Sequence, residues 1–419
     1  MIQIKRLVLL YFTILLLAVT LRTSVAAPNI LVRLVYLGAF FIPLLTKYRN
    51  LYLPCLVAFT TVSINSFAFG YFPYDMLSYA VISIFALVIA ALVYRSSSIR
   101  ITPLFFMTLL YVLIINVVYS GSPQDISYCF IAICCGATIQ DNNAQKNQSN
   151  LLNCFSVISL ALSFIYLTNY DAFLQSYNPA DDMERAGWTD PNYLSCILGM
   201  GVITSLIQLL RERKASLFWR LFWISTVTVS LMSQLLMASR GGLLCVVVSA
   251  LILLIFADVK KWYKVIISLF LVGVLVWLYT NNYFELLEYR VTNDSSGGSG
   301  RVDIWQMKLL AFGNESNILK WIFGVGHTGA LQLSFNNQPF GFHNDFLAVL
   351  CSYGVIGFVM MVYIMFILPF KGTTKYSRPI VAALVIYLVL VCMTLEPLSS
   401  GRLTYFAFYY LILLTRSVS

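Results

Sequence analysis

Charged residues are scarce in this sequence. Only 11% of its 419 residues are Asp, Glu, Lys or Arg, whereas 60% are hydrophobic. A soluble globular chain carries roughly 25% charged residues, so this chain has too few to cover a surface that faces water. The composition excludes an ordinary soluble protein and indicates an integral membrane protein, whose surface faces lipid.

Long apolar runs make up most of the chain, such as YAVISIFALVIAALVY. A membrane-spanning helix needs about 20 mainly apolar residues, whereas barrel strands alternate apolar and polar residues. Because the runs are continuous, we predict an all-α integral membrane protein with about 12–14 transmembrane helices. We expect one polytopic membrane domain over residues 1–419, with candidate spans centred near residues 14, 38, 60, 85, 111, 133, 159, 200, 227, 249, 272, 357, 387 and 408. The first run could be a signal peptide, but its length favours an uncleaved span.

The positions of the basic residues predict the orientation. With the N-terminus inside, inner segments carry 18 of the 27 basic and 3 of the 17 acidic residues, a net charge of +15. The outer segments carry the other 9 basic and 14 acidic residues, a net charge of −5. Inner loops of membrane proteins are rich in Lys and Arg, so both termini are predicted to be cytoplasmic. The overall charge of +10 then reflects topology, and we predict no nucleic-acid partner.

Two outer loops are long, at residues 170–189 and 281–345. Long loops within compact architectures are often functional. The larger loop is predicted to contain short helices, because RVDIWQMKLLAFG places Val302, Trp305, Leu309 and Leu310 at helical offsets. Such a helix could lie on the membrane or cover a cavity, or it could serve packing alone.

Metal and nucleotide sites are not indicated. All nine cysteines lie in apolar runs and none has metal-ligand spacing. The sequence has no nucleotide-binding phosphate loop and no nucleophile elbow. Asp181 and Asp182 form only a weak acidic pair. We predict neither a metal nor a cofactor.

Arginines on the outer side, where the positive-inside rule does not explain them, stand at the ends of spans or beside the Ser/Gly run of the large loop. They are Arg185, Arg240, Arg290, Arg301 and Arg402. Each could pair with a nearby acid or reach lipid headgroups. Because the planar guanidinium matches phosphate oxygens, a cluster of two or three would suit a lipid-linked diphosphate.

The chain has two histidines, and His343 lies in GFHNDFL, where a polar stretch meets an apolar run. Imidazole titrates near neutrality and can take a proton from a hydroxyl. Asn344 or Asp345 could cap the following helix, and the histidine could then be incidental to a capping turn. His327, in the glycine-rich FGVGHTGA, is the second candidate.

Four motifs occur in order on the predicted outer side: RAGWTDPNYLS, SRGGLL, GRVDIWQ, and GVGHTG followed by GFHNDFLAVLCSYGVIGF. Together they resemble the arginine and histidine motifs of the O-antigen polymerase and O-antigen ligase superfamily. The resemblance covers roughly residues 185 to 360. It implies a glycosyltransferase of the bacterial inner membrane with a periplasmic active site, which uses a glycan on undecaprenyl diphosphate.

The resemblance also implies roles for single residues. Arg185, Arg240 and Arg301 would bind the donor diphosphate, and Arg240 and Arg301 would stabilise it as it leaves. His343 would orient or deprotonate the acceptor hydroxyl. Supporting positions would be Asn344, Asp345, Asp190, Asn192, His327 and Arg402. Expected partners are the lipid-linked oligosaccharide as donor and acceptor, membrane lipids and a chain-length regulator protein.

Two other functions stay open at this point. A ligase would transfer the glycan to the lipid A core, and the shared motifs do not separate it from a polymerase. Fourteen spans favour the polymerase. A flippase or transporter would place its binding residues near the middle of the bilayer, whereas the predicted spans here are almost free of charge.

Overall fold

The structure, a computed structural model, describes residues 99–101, 103–119, 137–139, 144–168, 170, 191–212, 214–293, 300–315, 317–333, 341–397 and 403–417. The predicted spans centred near residues 14, 38, 60, 85 and 133 lie outside these ranges, as does all but the first residue of the 170–189 loop. The helix count and the division into one domain with two loops therefore remain predictions.

The described residues are almost wholly helical, which confirms the predicted all-α architecture. In chain order the helices are α1 (Pro103–Tyr119), α2 (Ala144–Thr168), α3 (Pro191–Arg211), α4 (Leu217–Leu236), α5 (Arg240–Phe256), α6 (Lys261–Thr280), α7 (Glu285–Asn293), α8 (Arg301–Glu315), α9 (Ile318–Phe323), α10 (Gly326–Gln332), α11 (Asp345–Val362), α12 (Arg378–Thr394) and α13 (Leu403–Ser417). A π-helical turn (Tyr363–Ile367) and a 3-10 turn (Leu368–Phe370) continue α11. One short antiparallel pair, β1 (Ile99–Ile101) with β2 (Ala137–Ile139), joins two segments predicted to be cytoplasmic.

Four of the described helical segments are long and apolar enough to cross a membrane, by length and composition. They are Gln148–Thr168, Pro191–Arg211, Lys261–Thr280 and Asp345–Phe370, and shorter apolar helices occupy Phe106–Tyr119, Arg240–Phe256 and Arg378–Thr394. The chain is therefore a membrane protein. All nine predicted span centres within the described ranges fall inside a helix.

Helix α3 lies at the centre of the bundle, and every residue from Tyr193 to Leu210 is buried. It packs on α2 through a glycine: a Cβ at Gly201 would lie 2.0 Å from Cβ of Ser159. The Ser159 hydroxyl donates to the Leu198 carbonyl oxygen at 2.8 Å. Membrane helices commonly approach each other through such small residues and hydroxyl hydrogen bonds, because lipid gives apolar side chains little reason to associate.

The helix ends separate into two groups. The starts of α3, α5 and α11 and the end of α12 meet through contacts described below. The opposite ends of α3, α5 and α12 line a cavity of about 420 Å³, whose wall includes Arg211, Asp258, Tyr376 and Thr415. The structure thus separates the ends that the charge pattern predicts as outer from those that it predicts as inner.

Helix α11 is broken at Gly354, where φ is 64° and ψ is −163°. A Cβ there would lie 2.3 Å from the carbonyl oxygen of Ile322, and one at Gly324 would lie 2.2 Å from that of Ser352. The two backbones therefore touch, and the Val325 N–H donates to the Cys351 carbonyl at 3.0 Å. These contacts pack α9 and α10 along the first half of α11, the half that begins at the histidine turn.

Candidate active site

The turn that carries His343 is fixed by side chains from two other parts of the chain. The Phe342 carbonyl accepts a hydrogen bond from Nε1 of Trp305 in α8 at 2.8 Å. The Phe342 N–H donates to Oε1 of Glu396, just beyond α12. The Phe342 ring is buried in a small apolar cluster with Phe312 and Cys351. Both backbone groups and the ring of the residue before His343 are therefore held.

His343 itself has a φ of 50°. The left-handed region is uncommon for residues other than glycine, although His is among those enriched there. Such conformations cost of order 1–3 kcal/mol and persist where surrounding contacts impose them, often at functional sites. Here the imposing contacts are those on Phe342 and the helix cap that follows. The side chain is partly exposed.

Asn344 caps α11. Its side-chain oxygen accepts from the N–H groups of Phe346 at 3.0 Å and Leu347 at 3.2 Å. These are two of the donors that a helix start leaves without partners within the helix. Of the two capping candidates in the sequence, Asn344 takes this role, while Asp345 becomes the first helical residue and is fully buried. A carboxylate suits that position because it faces the positive end of the helix dipole.

Glu396 was not predicted from the sequence, yet it lies against this turn. Gly341 gives it room, since a Cβ at that position would be 3.0 Å from Oε2 of Glu396. Burial raises the pKa of the Glu396 carboxyl to about 7, and the neighbouring Asp345 raises it further, against hydrogen bonds from the backbone of Phe342 and His343 and the charge of Lys308. The sequence signal was a lone acid after the apolar run of α12.

Lys308 is a second residue near the histidine turn that was not predicted from the sequence. It is only 2% exposed, and its Nζ donates to the carbonyls of Ala330 at 3.3 Å and Leu331 at 2.7 Å, near the end of α10. The same atom lies 4.8 Å from the centre of the Phe342 ring. Burial lowers the pKa of the Lys308 ammonium to about 8. This lysine therefore joins α8, α10 and the histidine turn.

The Ser-Arg-Gly turn starts α5 beside the start of α3. Ser239 caps α5 by accepting from the Gly242 N–H at 3.4 Å, and its hydroxyl donates to Oδ1 of Asn192 at 3.2 Å. Gly242 is needed for this approach, because a Cβ there would lie 2.1 Å from Oγ of Ser195. The residue before the turn, Ala238, has a φ of 47°. Arg240 is therefore carried by a tight turn pressed against α3.

The two turns share neighbours. The hydroxyl of Tyr193, next to Asn192, accepts from the backbone N–H of Glu396 at 3.3 Å. A Cβ at Gly241 would lie 3.5 Å from Thr394, two residues before Glu396. The beginnings of α3, α5 and α11 thus meet at the end of α12. Arg240 and His343 lie in one region of the molecule.

Helix α8 brings Arg301 to the same region, because Trp305, one turn further along, holds the Phe342 carbonyl. The predicted helix is present, but Val302 and Leu310 of its predicted apolar face are exposed. The side chains that it buries most deeply are Lys308 and Phe312.

The remaining predicted positions divide into two groups. His327 is partly buried in α10, the helix whose Ala330 packs in the same buried cluster as Phe342. Arg185, Asp190 and Arg402 lie outside the described residues. Within the described ranges no group of three or more His, Cys, Asp or Glu side chains is placed to hold a metal ion.

These features define a helical membrane protein whose candidate site is assembled from helix ends and short turns at one face. The model of the O-antigen ligase family matches residues 225–362, which confirms the resemblance to the O-antigen polymerase and ligase superfamily. The match includes Arg240, Arg301 and His343 and leaves Asn192 and Glu396 outside. It implies glycosyl transfer of the O-antigen ligase or polymerase type. No curated protein matches the chain.

Proposed function

We propose that this protein is an O-antigen polymerase of the bacterial inner membrane. It transfers a growing glycan from undecaprenyl diphosphate to another lipid-linked repeat unit at the periplasmic face. The observation that carries the proposal is the convergence of the Arg240 turn, the start of α8 at Arg301 and the His343 turn, through Tyr193, Trp305 and Glu396. The family match over residues 225–362 supports the class of reaction.

The chemistry requires one bond to form and one to break. The acceptor hydroxyl oxygen attacks the anomeric carbon of the donor glycan, and the bond from that carbon to the diphosphate oxygen breaks. His343 accepts the hydroxyl proton as general base. The diphosphate leaves on undecaprenol with its added negative charge, which Arg185, Arg240 and Arg301 stabilise.

The position of the site suits a substrate that is half lipid. Helix starts converge there, and their backbone N–H groups favour anions. The polyprenyl tail stays in the bilayer while the sugar and diphosphate reach the site from the membrane boundary. This arrangement favours an enzyme acting at one face, whereas a flippase would be expected to place charged binding residues near the middle of the bilayer.

The second candidate is an O-antigen ligase, because the matching family carries that description and the match does not distinguish the two activities. It would use the same donor and the same residues, with the lipid A core as acceptor. The number of predicted spans favours the polymerase, and the glycan products separate the two activities.

The test uses the source cell with its own copy of the gene removed, because that cell makes the cognate lipid-linked repeat. The unsubstituted chain or His343→Ala is restored at matched membrane levels, and lipopolysaccharide is separated on a gel. A polymerase gives a ladder with the unsubstituted chain and a single-repeat band with His343→Ala, since loss of a general base costs roughly 100-fold or more.

Gly273→Ala in α6 serves as the matched control, because the added methyl would contact nothing within 4 Å, and it should give the normal ladder. A ladder from His343→Ala would overturn the catalytic role of the histidine. Core without repeats, together with undecaprenyl-linked polymer in the deleted cell, would identify a ligase instead.

A further inference from the structure

The carboxylate of Glu396 contacts the backbone of the histidine turn from outside the motifs that define the proposed machinery. It lies beyond the end of α12, 54 residues from Phe342, to which it is hydrogen-bonded. The backbone N–H of His343 also donates to this carboxylate. One side chain therefore holds two successive peptide N–H groups, one of them belonging to the residue in the left-handed conformation.

We propose that Glu396 is a positioning residue for His343: its ionised carboxylate clamps the 341–343 turn, so that glycan transfer depends on the charge of Glu396. This inference rests on the proposed function, because it assigns Glu396 a role in the same reaction. An ionised carboxylate accepts hydrogen bonds with both oxygens, whereas a protonated one turns one oxygen into a donor. Hydrogen bonds to a charged acceptor are roughly twice as strong as neutral ones. Protonation of Glu396 therefore loosens the turn.

The fit between Glu396 and the turn is tight on both sides. In front, Gly341 leaves space that a side chain would fill, since its Cβ position is 3.0 Å from Oε2. Behind, the backbone N–H of Glu396 donates to the hydroxyl of Tyr193 at 3.3 Å. The hydrogen bond to α3 thus holds Glu396 on one side, and the absence of a side chain at Gly341 leaves room for its carboxylate on the other. These close contacts restrict the carboxylate to the position from which it bonds the backbone of the turn.

The charges around Glu396 place its titration near neutrality. Asp345 faces it from α11 and Lys308 from α8, while His343 contributes its backbone and Tyr193 a hydroxyl from α3. Burial first, and Asp345 second, raise the pKa of Glu396 to about 7. The two backbone hydrogen bonds and Lys308 act in the opposite direction. The Glu396 carboxyl is therefore mainly ionised above neutral pH and mainly protonated below it.

Glu396→Gln tests this role. Gln keeps the size and one acceptor oxygen, but it cannot ionise. Membranes containing the native lipid-linked repeat and either chain are incubated between about pH 5 and 9, and polymer formed per minute is measured. We expect roughly a tenfold loss at pH 8. We also expect the acid side of the profile to move to lower pH by roughly half a unit or more, because Glu396 no longer titrates.

Gly341→Ala provides a second variant that keeps every charge. The new Cβ displaces Oε2 and weakens the hydrogen bonds that lower the pKa of Glu396, so the acid side should move to higher pH, opposite to Glu396→Gln. Gly313→Ala is the control, because its nearest contact would be Trp321 at 4.0 Å, and it should leave the profile unchanged. If Glu396→Gln does not reach the membrane, the direction of the Gly341→Ala shift decides the question.

Each result has a defined meaning. Equal loss of activity at every pH, with the acid side unmoved in both variants, would make Glu396 merely structural and overturn the inference. Full activity of Glu396→Gln would overturn it as well. Failure of the proposed function differs from both: the unsubstituted chain would then form no polymer, or His343→Ala would match it.

Discussion

His343 takes its position from residues that are far from it in the sequence. Trp305 and Glu396, which bond to the two backbone groups of Phe342, are 37 and 54 residues away from it. The sequence predicts a cap at Asn344 or Asp345, because capping depends on neighbouring residues, and the structure has it at Asn344. It does not predict the left-handed φ of His343 or the Glu396 contact, because both depend on the meeting of α8, α11 and α12.

At the scale of one residue, Glu396 is expected to lower stability above neutral pH. Its folded-state pKa is raised to about 7 from the ordinary 4.5, so folding favours the protonated form. The penalty is absent below about pH 4.5 and grows as the pH rises to about 7. Glu396→Gln should therefore increase the free energy of unfolding at pH 8 by about 1–3 kcal/mol.

The measurement is thermal unfolding in detergent at pH 8 and pH 5. The gain should be present at pH 8 and shrink at pH 5, where the native carboxyl is largely neutral. A variant that melts below the unsubstituted chain at pH 8 would contradict the prediction. Stability gained with activity lost is the usual sign of a site whose function requires an unfavourable charge.

At the scale of the helix, the sequence pattern predicts where the helices lie better than it predicts which of their faces are buried. The apolar offsets in RVDIWQMKLLAFG correctly predict α8, because periodicity is local. They do not predict that Lys308 is buried while Leu310 is 59% exposed. Lys308 can be buried because carbonyls at the end of α10 accept its hydrogen bonds, and only the assembled fold brings α10 there. The break at Gly354 was not predicted, because glycines are common in membrane helices.

The break in α11 gives a prediction for the element as a whole. Gly354→Ala places a Cβ at 2.3 Å from the Ile322 carbonyl, in a backbone with φ of +64°. We expect a loss of more than roughly 2 kcal/mol in the free energy of unfolding, or failure to accumulate in the membrane.

The comparison variant is again Gly273→Ala, in a helical backbone with open space around the new methyl. It should be neutral or stabilise by up to roughly 1 kcal/mol, since Ala favours helix over Gly. Melting temperatures in detergent and membrane yields distinguish the two variants. Equal values for both would show that the close backbone contact at Gly354 tolerates a side chain.

At the scale of the whole molecule, charge placement predicted which helix ends lie together. Arg211 and Asp258, both in segments assigned to the cytoplasm, line one cavity, while Tyr193 and Glu396 meet at the other end. This grouping agrees with the alternation of sides that the asymmetry of basic residues predicts, and the side that faces the periplasm stays a prediction. The positive-inside rule does not predict the details of the site, because it assigns each loop to a side of the membrane and does not say which residues lie next to each other.

The orientation can be measured by cysteine labelling in intact cells. Glu285→Cys and Lys371→Cys replace exposed residues at opposite ends, and the unsubstituted chain provides the blank. A membrane-impermeant maleimide should label Glu285→Cys from the periplasm and Lys371→Cys only after the inner membrane is opened. The reverse pattern would invert the predicted topology and place the His343 turn in the cytoplasm.

The break in helix α11 also affects how precisely His343 is positioned. Asp345, the first residue of α11, lies nine residues before the break, about 13 Å from Gly354 at 1.5 Å per residue. Because the break interrupts the helix ladder, the part of α11 before Gly354 can tilt without bending the part after it. A tilt of about 5° about that pivot would move the imidazole by about 1 Å, a displacement that can change an enzymatic rate by about 100-fold. The packing of Ile322 and Gly324 against the break therefore helps to fix the direction of the helix segment that follows His343.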